Sequence, residues 1–273
     1  MLKCAITGAS GVLGKRLRQI LPYKFYSFKN NITDYNKVLK WINSKQFDLV
    51  IHLAAIVPTN RVNKNFKIAK KINVDGTKNV IQAISTLRKP PKWFFFASTS
   101  HVYSSTSFYK KISEKYKTKP YSKYGKTKKE AEKIIQKKFN DKNIKFCIGR
   151  IFSFTDKRQK PPYVIPSLFA KIKKKRKSIL LNNLNHYRDF ISTKDIASAI
   201  NLLFKKKKIG IFNIGSGNSI NIKSIAKIIA KKEKRKIIFS TDNKPTYLLS
   251  DSKKLKQLGW KPKKFKNNMS YFY

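Results

Sequence analysis

The sequence predicts an α/β protein built on a doubly wound parallel sheet, with a smaller C-terminal lobe, and three observations carry that reading. Leu2 to Ile6 is a short apolar run that leads into a turn with glycines at 8, 11 and 14, followed by helical character from Lys15 to Leu21. Near-continuous apolar runs recur at 47–55, 93–97 and 144–152, the pattern of parallel strands covered on both faces. Between them lie segments of helical period. Residues 1–155 are expected to form the larger part, with later segments returning to it, and 156–273 mainly the smaller lobe.

Composition narrows the class. A chain of 273 residues is enough for one well-buried α/β domain, or a larger one with a smaller one attached. Its 41% hydrophobic and 13% aromatic content fits a globular protein despite a net charge of +50. Dense lysine attracts phosphate polymers. Here, though, 54 Lys stand against 9 Arg, whereas nucleic-acid readers lean on bidentate Arg. Lysine is spread along the chain, with runs at 171–177, 205–208 and 231–236. A codon bias accounts for this better than a nucleic-acid face, so no specific nucleic-acid partner is expected. Cys4 and Cys147 lie far apart in apolar runs and read as core residues of a reducing compartment. No stretch nears the roughly 20 apolar residues of a membrane span, and no signal peptide precedes the first strand. The expected location is cytoplasmic, away from membranes.

The glycine turn has a mechanism. Between a strand and a helix, backbone N–H groups and a helix N-terminus come up to a pyrophosphate. Gly8, Ser10, Gly11, Val12, Leu13 and Gly14 are therefore candidate dinucleotide contacts. Next come a strand at 24–28 and a helix at 34–44, capped by Thr33 or Asp34. Dinucleotide folds usually place an acidic residue after the second strand to hold the adenosine ribose; here Lys29 and Asn30 follow Phe28. The missing acid, with Lys15, Arg16 and Lys29 nearby, tilts the expectation from NAD towards NADP. The third strand, 47–55, ends in Leu53, Ala54 and Ala55, and its alanines leave room for a flat adenine or ribose. A helix at 72–88 stops before Pro90 and Pro91. The fourth strand, 93–97, then delivers Ser98, Thr99, Ser100 and His101 at its C-terminal end, where doubly wound sheets bind ligands.

Tyr124 and Lys128 are four residues apart on a helix and share a face. An ammonium beside a phenol favours the phenolate, so the pair is expected to lower the tyrosine pKa towards the range of a general acid or base. In so lysine-rich a chain, roughly two or three such spacings arise from composition alone. Order gives the pair its weight: a glycine turn, then a hydroxyl at a strand end, then Tyr124 and Lys128. In that order Thr7 to Gly14, Ile51 to Ala55, Asn73-Val74-Asp75-Gly76-Thr77, Ser98 to Tyr103, Glu114 before Pro120, and Tyr124 to Lys128 with Glu132 match a known pattern. By them the chain resembles, over nearly its full length, the extended short-chain dehydrogenase/reductase family of nucleotide-sugar epimerases, dehydratases and ketoreductases.

The resemblance implies a Rossmann-like fold, NAD or NADP, a nucleotide-sugar substrate and a homodimer. It implies Thr99 as the hydroxyl that steadies the reacting oxygen, Tyr124 as the acid/base, and Lys128 as the residue that holds the nicotinamide ribose and lowers the tyrosine pKa. Leu53, Ala54, Ala55 and Asn73 would line the cofactor; Ser100, Ser153 and Arg188 would line the substrate. Ser153 stands where the family has an asparagine that touches the nucleotide-sugar. Arg188 either grips the phosphates with its guanidinium or pairs with Asp189. The family's 4,6-dehydratases carry an Asp-Glu pair where this chain has Ser100 and His101, so an epimerase or ketoreductase is expected and dehydration is set aside. His101 stands where fucose-forming reductases place a cysteine, and it either carries protons or only packs beside the site. A rival function is a cofactor-binding or RNA-binding protein that keeps the fold without turnover.

His52, inside an apolar strand, reads as a satisfied core histidine, and His186 as loop or strand edge. Three histidines, two cysteines and no acidic cluster give no metal site. In the second half, helices are expected at 165–175, 194–204 and 222–232, strands near 179–181, 210–214 and 237–239, and an amphipathic segment at 252–258. The short stretch after Pro262 reads as a trimmed small lobe.

Overall fold

The computed structural model describes residues 1–174, 178–240 and 244–263. The end of the lysine run at 171–177 and nearly all of the stretch after Pro262 lie outside them. The first half comprises β1 (Lys3–Thr7), α1 (Val12–Ile20), β2 (Lys24–Ser27), α2 (Tyr35–Asn43), β3 (Leu49–His52), α3 (Thr59–Lys64), α4 (Phe66–Lys70), α5 (Gly76–Ser85), β4 (Trp93–Thr99), β5 (Lys111–Ile112), α6 (Lys123–Asp141) and β6 (Phe146–Ile151). The second half adds β7 (Ser153–Thr155), α7 (Val164–Ile172), β8 (Ile179–Leu181), β9 (His186–Arg188), β10 (Phe190–Ser192), α8 (Thr193–Lys205), β11 (Gly210–Ile214), β12 (Ile220–Asn221), α9 (Ile222–Lys232), β13 (Ile237–Phe239), β14 (Thr246–Ser250) and α10 (Lys253–Lys256).

Six strands form a parallel Rossmann-like sheet in the order β2-β1-β3-β4-β6-β11. The direction of strand addition reverses between β1 and β3, and open α/β sheets bind ligands at such a switch point. β2 forms one edge of the sheet. Asp34, not Thr33, caps α2 by accepting from the Lys37 N–H at 3.1 Å. One face of the sheet packs on α1 and α8 through Leu17, Ile196, Ile200 and Leu203, and the other on α2, α5 and α6 through Val38, Ile42, Val80, Ile84, Ile135 and Phe139.

Two elements differ from the sequence reading for clear reasons. The third strand ends at His52, not Ala55: the Leu53 N–H is shared between Thr7 O at 3.3 Å and Thr7 Oγ1 at 3.2 Å, and the Ala54 N–H turns onto Thr7 Oγ1 at 3.2 Å. The helix expected at 72–88 is interrupted: Lys71–Asp75 forms a π-turn before α5, a device that re-aims side chains inside a helix. The small lobe packs α7 and α9 around Ile165, Leu168, Ile172, Ile225 and Ile229. It carries a mixed sheet β12-β9-β14-β5, of which β14 was not expected from the sequence. Cys4 and Cys147 are buried free thiols. Among the described residues no helix is long and apolar enough to cross a membrane.

Candidate active site

β1 delivers Gly8 with φ +70°, and a Cβ there would stand 2.7 Å from Ala54 N, so only glycine lets the turn lie against the end of β3. Gly11 caps α1 without a side-chain hydrogen bond, and no acidic residue occupies the first turn. The leading N–H groups of α1 are thus open to an anion. Ser10 and Gly11 are exposed there, Val12 and Leu13 half-buried and Gly14 buried, with half-buried Leu53, Ala54 and Ala55 across the crevice.

A closed chain of hydrogen bonds braces this crevice. Because Thr7 Oγ1 accepts from Leu53 and Ala54, its own proton goes to His52 Nδ1 at 2.6 Å. Nε2–H then donates to Thr77 Oγ1 at 2.9 Å, and that hydroxyl donates to the Asn73 carbonyl at 2.7 Å. His52 is a satisfied core residue. Burial, with Lys128 nearby, pulls its pKa down to about 3. Unfolded chains take up that proton below the ordinary value of 6.5, so stability is level above it and falls with pH down to about 3. At about pH 4.5 the loss from this group is expected to be roughly 2–3 kcal/mol. Denaturant titrations of the wild type and His52→Gln across this range check it, since the variant should lack this part of the slope.

β4 ends at Thr99, and a 3₁₀ turn, Ser100–Val102, follows with Thr99 Oγ1 accepting from the His101 N–H at 3.2 Å. Ser100 is buried in that turn. Ser122 caps α6 by accepting from Gly125 N–H at 3.0 Å, and the helix buries Tyr124, Thr127, Lys128, Ala131 and Glu132 on one face. The Thr99 hydroxyl acts on the Tyr124 phenol, pulling its pKa down against burial. The His101 ring stands edge-on to Tyr124 with centroids 5.9 Å apart. His101 Nδ1 is buried without a hydrogen-bond partner. Burial, and then the Arg188 charge, lower His101 to about 4, so its imidazole is neutral near pH 7.

The structure corrects the electrostatic expectation for the helical pair. Burial holds the Tyr124 phenol above its ordinary value, with the Thr99 hydrogen bond pulling the other way, and Lys128 is not among the groups acting on it. Lys128 is 2% exposed and places its Nζ 3.9 Å from the Phe96 ring centre. Burial lowers its own pKa to about 7, opposed by Glu132.

Arg188 comes from β9. Its Nη1 donates to the Tyr187 and Thr246 carbonyls at 2.8 and 3.0 Å, while Nη1 and Nη2 donate to Thr246 Oγ1 at 3.2 and 3.1 Å. Its charge reaches His101. Asp189 turns away and accepts from Ser216, Gly217 and Ser250, so it is not the partner of Arg188. His186, in β9, shares a hydrogen bond with Thr246 Oγ1 at 2.9 Å. Ser153 opens β7 and pairs with Phe190 in β10.

Asn73 departs from its expected role as a direct cofactor contact. It is fully buried; its Oδ1 accepts from Ile56 N–H at 2.7 Å and its Nδ2 donates to Ile56 O and Thr127 Oγ1. It acts by tying the loop after β3 to α6 between Tyr124 and Lys128. Sequence reasoning missed the buried group of Tyr103, Glu114, Arg150 and Asn213 beside Glu132. Its signal was a charged residue, Arg150, inside an apolar strand.

Residues 7–270 match the family model for GDP-mannose 4,6 dehydratase. The chain belongs to that family. The GDP-mannose 4,6 dehydratase family chain is 26% identical over 270 residues to the dTDP-D-glucose 4,6-dehydratase of Dictyostelium discoideum, which is 83% of this chain and 61% of that protein. It is 30% identical over 222 residues to the UDP-glucose 4-epimerase of Mycoplasma genitalium, covering 72% of this chain and 65% of that protein. Among solved structures, RMD from Pseudomonas aeruginosa complexed with NADPH has the same fold, with a TM-score of 0.87 at 21% identity, covering 96% of this chain and 94% of that one. Setting dehydration aside was therefore wrong, since the family model and the Dictyostelium relative are 4,6-dehydratases. Ser100 and His101 in place of an Asp-Glu pair do not set this chain apart from that family.

Proposed function

We propose that this chain binds a nicotinamide dinucleotide at the carboxyl ends of β1 and β3 and exchanges hydride and proton at a sugar carbon of a nucleotide-sugar. The observation that carries it is the convergence of Thr99, Tyr124 and His101 at one strand end, with Lys128 on the same helix face and Arg188 facing them from the small lobe. The uncapped N-terminus of α1 and the Gly8 turn fit a pyrophosphate. When bound, the nicotinamide supplies the hydride donor or acceptor. Tyr124 gives its phenolic proton to a ketone oxygen being reduced, or takes one from a hydroxyl being oxidised, and Thr99 steadies that oxygen. Arg188 meets the diphosphate. His101, with Nδ1 free, takes and returns the proton on the neighbouring carbon. Relatives that act on dTDP-D-glucose and UDP-glucose support this substrate class.

The 2′-phosphorylated cofactor is the preferred one in this reading. Edge strand β2 is followed by Phe28, Lys29 and Asn30, with no carboxylate to hold a free ribose hydroxyl or repel a phosphate. Thermal-shift titration with NAD, NADP and a panel of UDP-, dTDP- and GDP-sugars is the test. Saturating NADP is expected to stabilise by a few kcal/mol and to exceed NAD, with a further rise from one sugar nucleotide. Equal responses to both dinucleotides remove the NADP preference. A dinucleotide response with none from any sugar nucleotide removes the substrate class.

A further inference from the structure

Between Lys128 and the small lobe lies a run of buried polar side chains that the chemistry above does not use. Glu132 follows Lys128 by one helical turn and is 2% exposed. Its carboxylate accepts from Ser98 Oγ, from Arg150 Nε at 3.1 and 3.3 Å, and from Arg150 Nη2 at 2.8 Å. Arg150 Nη1 donates to Tyr103 OH at 2.8 Å and to Glu114 O at 3.3 Å; Tyr103 OH donates to Asn213 Oδ1 at 2.9 Å. A buried ion pair is a poor stabiliser, often replaceable by apolar side chains without loss. Its presence beside the site lysine calls for another reason.

We propose that Glu132 is the fixed counter-charge of Lys128, a positioning residue that keeps the ammonium ionised inside the protein while Ser98 and Arg150 hold the carboxylate in place. The groups facing Lys128 leave this role to Glu132. From β3 comes His52, locked neutral between Thr7 and Thr77. From β4 comes the Phe96 ring. On α6 itself Tyr124 stays protonated. Glu132 is the one carboxylate among the described residues whose charge acts on Lys128, and it opposes the burial that draws the lysine down to about 7. The importance of an ionised Lys128 for cofactor binding rests on the proposed function; the charge coupling itself can be read on the chain alone.

The experiment measures unfolding free energy without ligand from about pH 5 to pH 10 for the wild type, Glu132→Gln and Glu132→Asp, each also with Lys128→Met. An unfolded lysine keeps its proton to about 10.5, and folded Lys128 only to about 7. Stability therefore rises with pH across that window. Glu132→Gln is expected to move the onset of the rise down by about one pH unit or more, and Glu132→Asp to leave it within about half a unit. With Lys128→Met neither substitution moves it. In parallel, NADPH affinity at about pH 7, read by nicotinamide fluorescence, is expected to fall about tenfold in Glu132→Gln, to recover near pH 6, and to stay within about threefold in Glu132→Asp. Should Glu132→Gln not fold, Glu132→Gln with Arg150→Met leaves neither charge unpaired and is expected to displace the onset in the same direction. An unmoved onset, or one displaced equally in the Lys128→Met background, overturns the proposal and leaves Glu132 a packing role. Failure of the wild type to bind either dinucleotide strikes the functional reading instead, and the stability curves still decide the counter-charge.

Discussion

Tyr124→Phe is expected to lower turnover by about two orders of magnitude or more while dinucleotide affinity stays within about twofold. The phenol is 7% exposed, so water cannot easily replace its proton. Thr99 Oγ1 already accepts from the His101 N–H. His101 is neutral near pH 7, stands edge-on to the ring, and has a buried Nδ1 without a hydrogen-bond partner. Because burial holds the phenol protonated, Tyr124 is a ready acid in the reductive direction throughout neutral pH. In the oxidative direction the phenolate is needed, so that rate rises with pH. Steady-state kinetics in both directions and a fluorescence titration of NADPH check these points; undiminished turnover in Tyr124→Phe removes the residue from the chemistry.

Gly125→Ala is expected to destabilise the protein by about 3 kcal/mol or more and to lower turnover with it. Helix propensity alone argues the reverse, since alanine in a helix is favoured over glycine by about 1 kcal/mol. Packing decides the sign. A Cβ at Gly125 would overlap His101 O and stand 2.9 Å from His101 C and 3.0 Å from Pro120 Cβ. Backbone atoms cannot swing aside as a long side chain can, so α6 must back away from the Ser100–Val102 turn. That movement separates Tyr124 from Thr99 and His101. Chemical denaturation and kcat are the measurements. Wild-type stability in Gly125→Ala would show that the helix and the turn are not in the contact described.

The features legible in the sequence were those written as period and end residue. The glycine turn between strand and helix, the apolar strands and the hydroxyl at the end of β4 all have local signatures, and they located the crevice. Contacts between segments distant in sequence were not legible. Nothing local in Asn73 says that its amide holds Ile56 and Thr127. Nothing at Leu53 and Ala54 says that Thr7 captures their N–H groups and ends β3 early. The spacing of Tyr124 and Lys128 is local, whereas the burial that raises the phenol pKa and sets Lys128 against Phe96 is tertiary. Nothing local at Gly125 says that the His101 backbone lies across from it.

The position of β11 has a consequence for how the molecule is made. This strand, Gly210–Ile214, pairs with β6 and closes the central sheet on the side away from β2. During synthesis the nucleotide-binding half therefore emerges with β6 unpaired along one edge, an open template for wrong partners, until residues far downstream arrive. Asn213 within that strand then hydrogen-bonds the Tyr103 hydroxyl and the Ile112 carbonyl. The buried polar group beside the catalytic helix is thus completed only when the second half has folded. That edge of the sheet and that polar group therefore both depend on one strand from the second half of the chain.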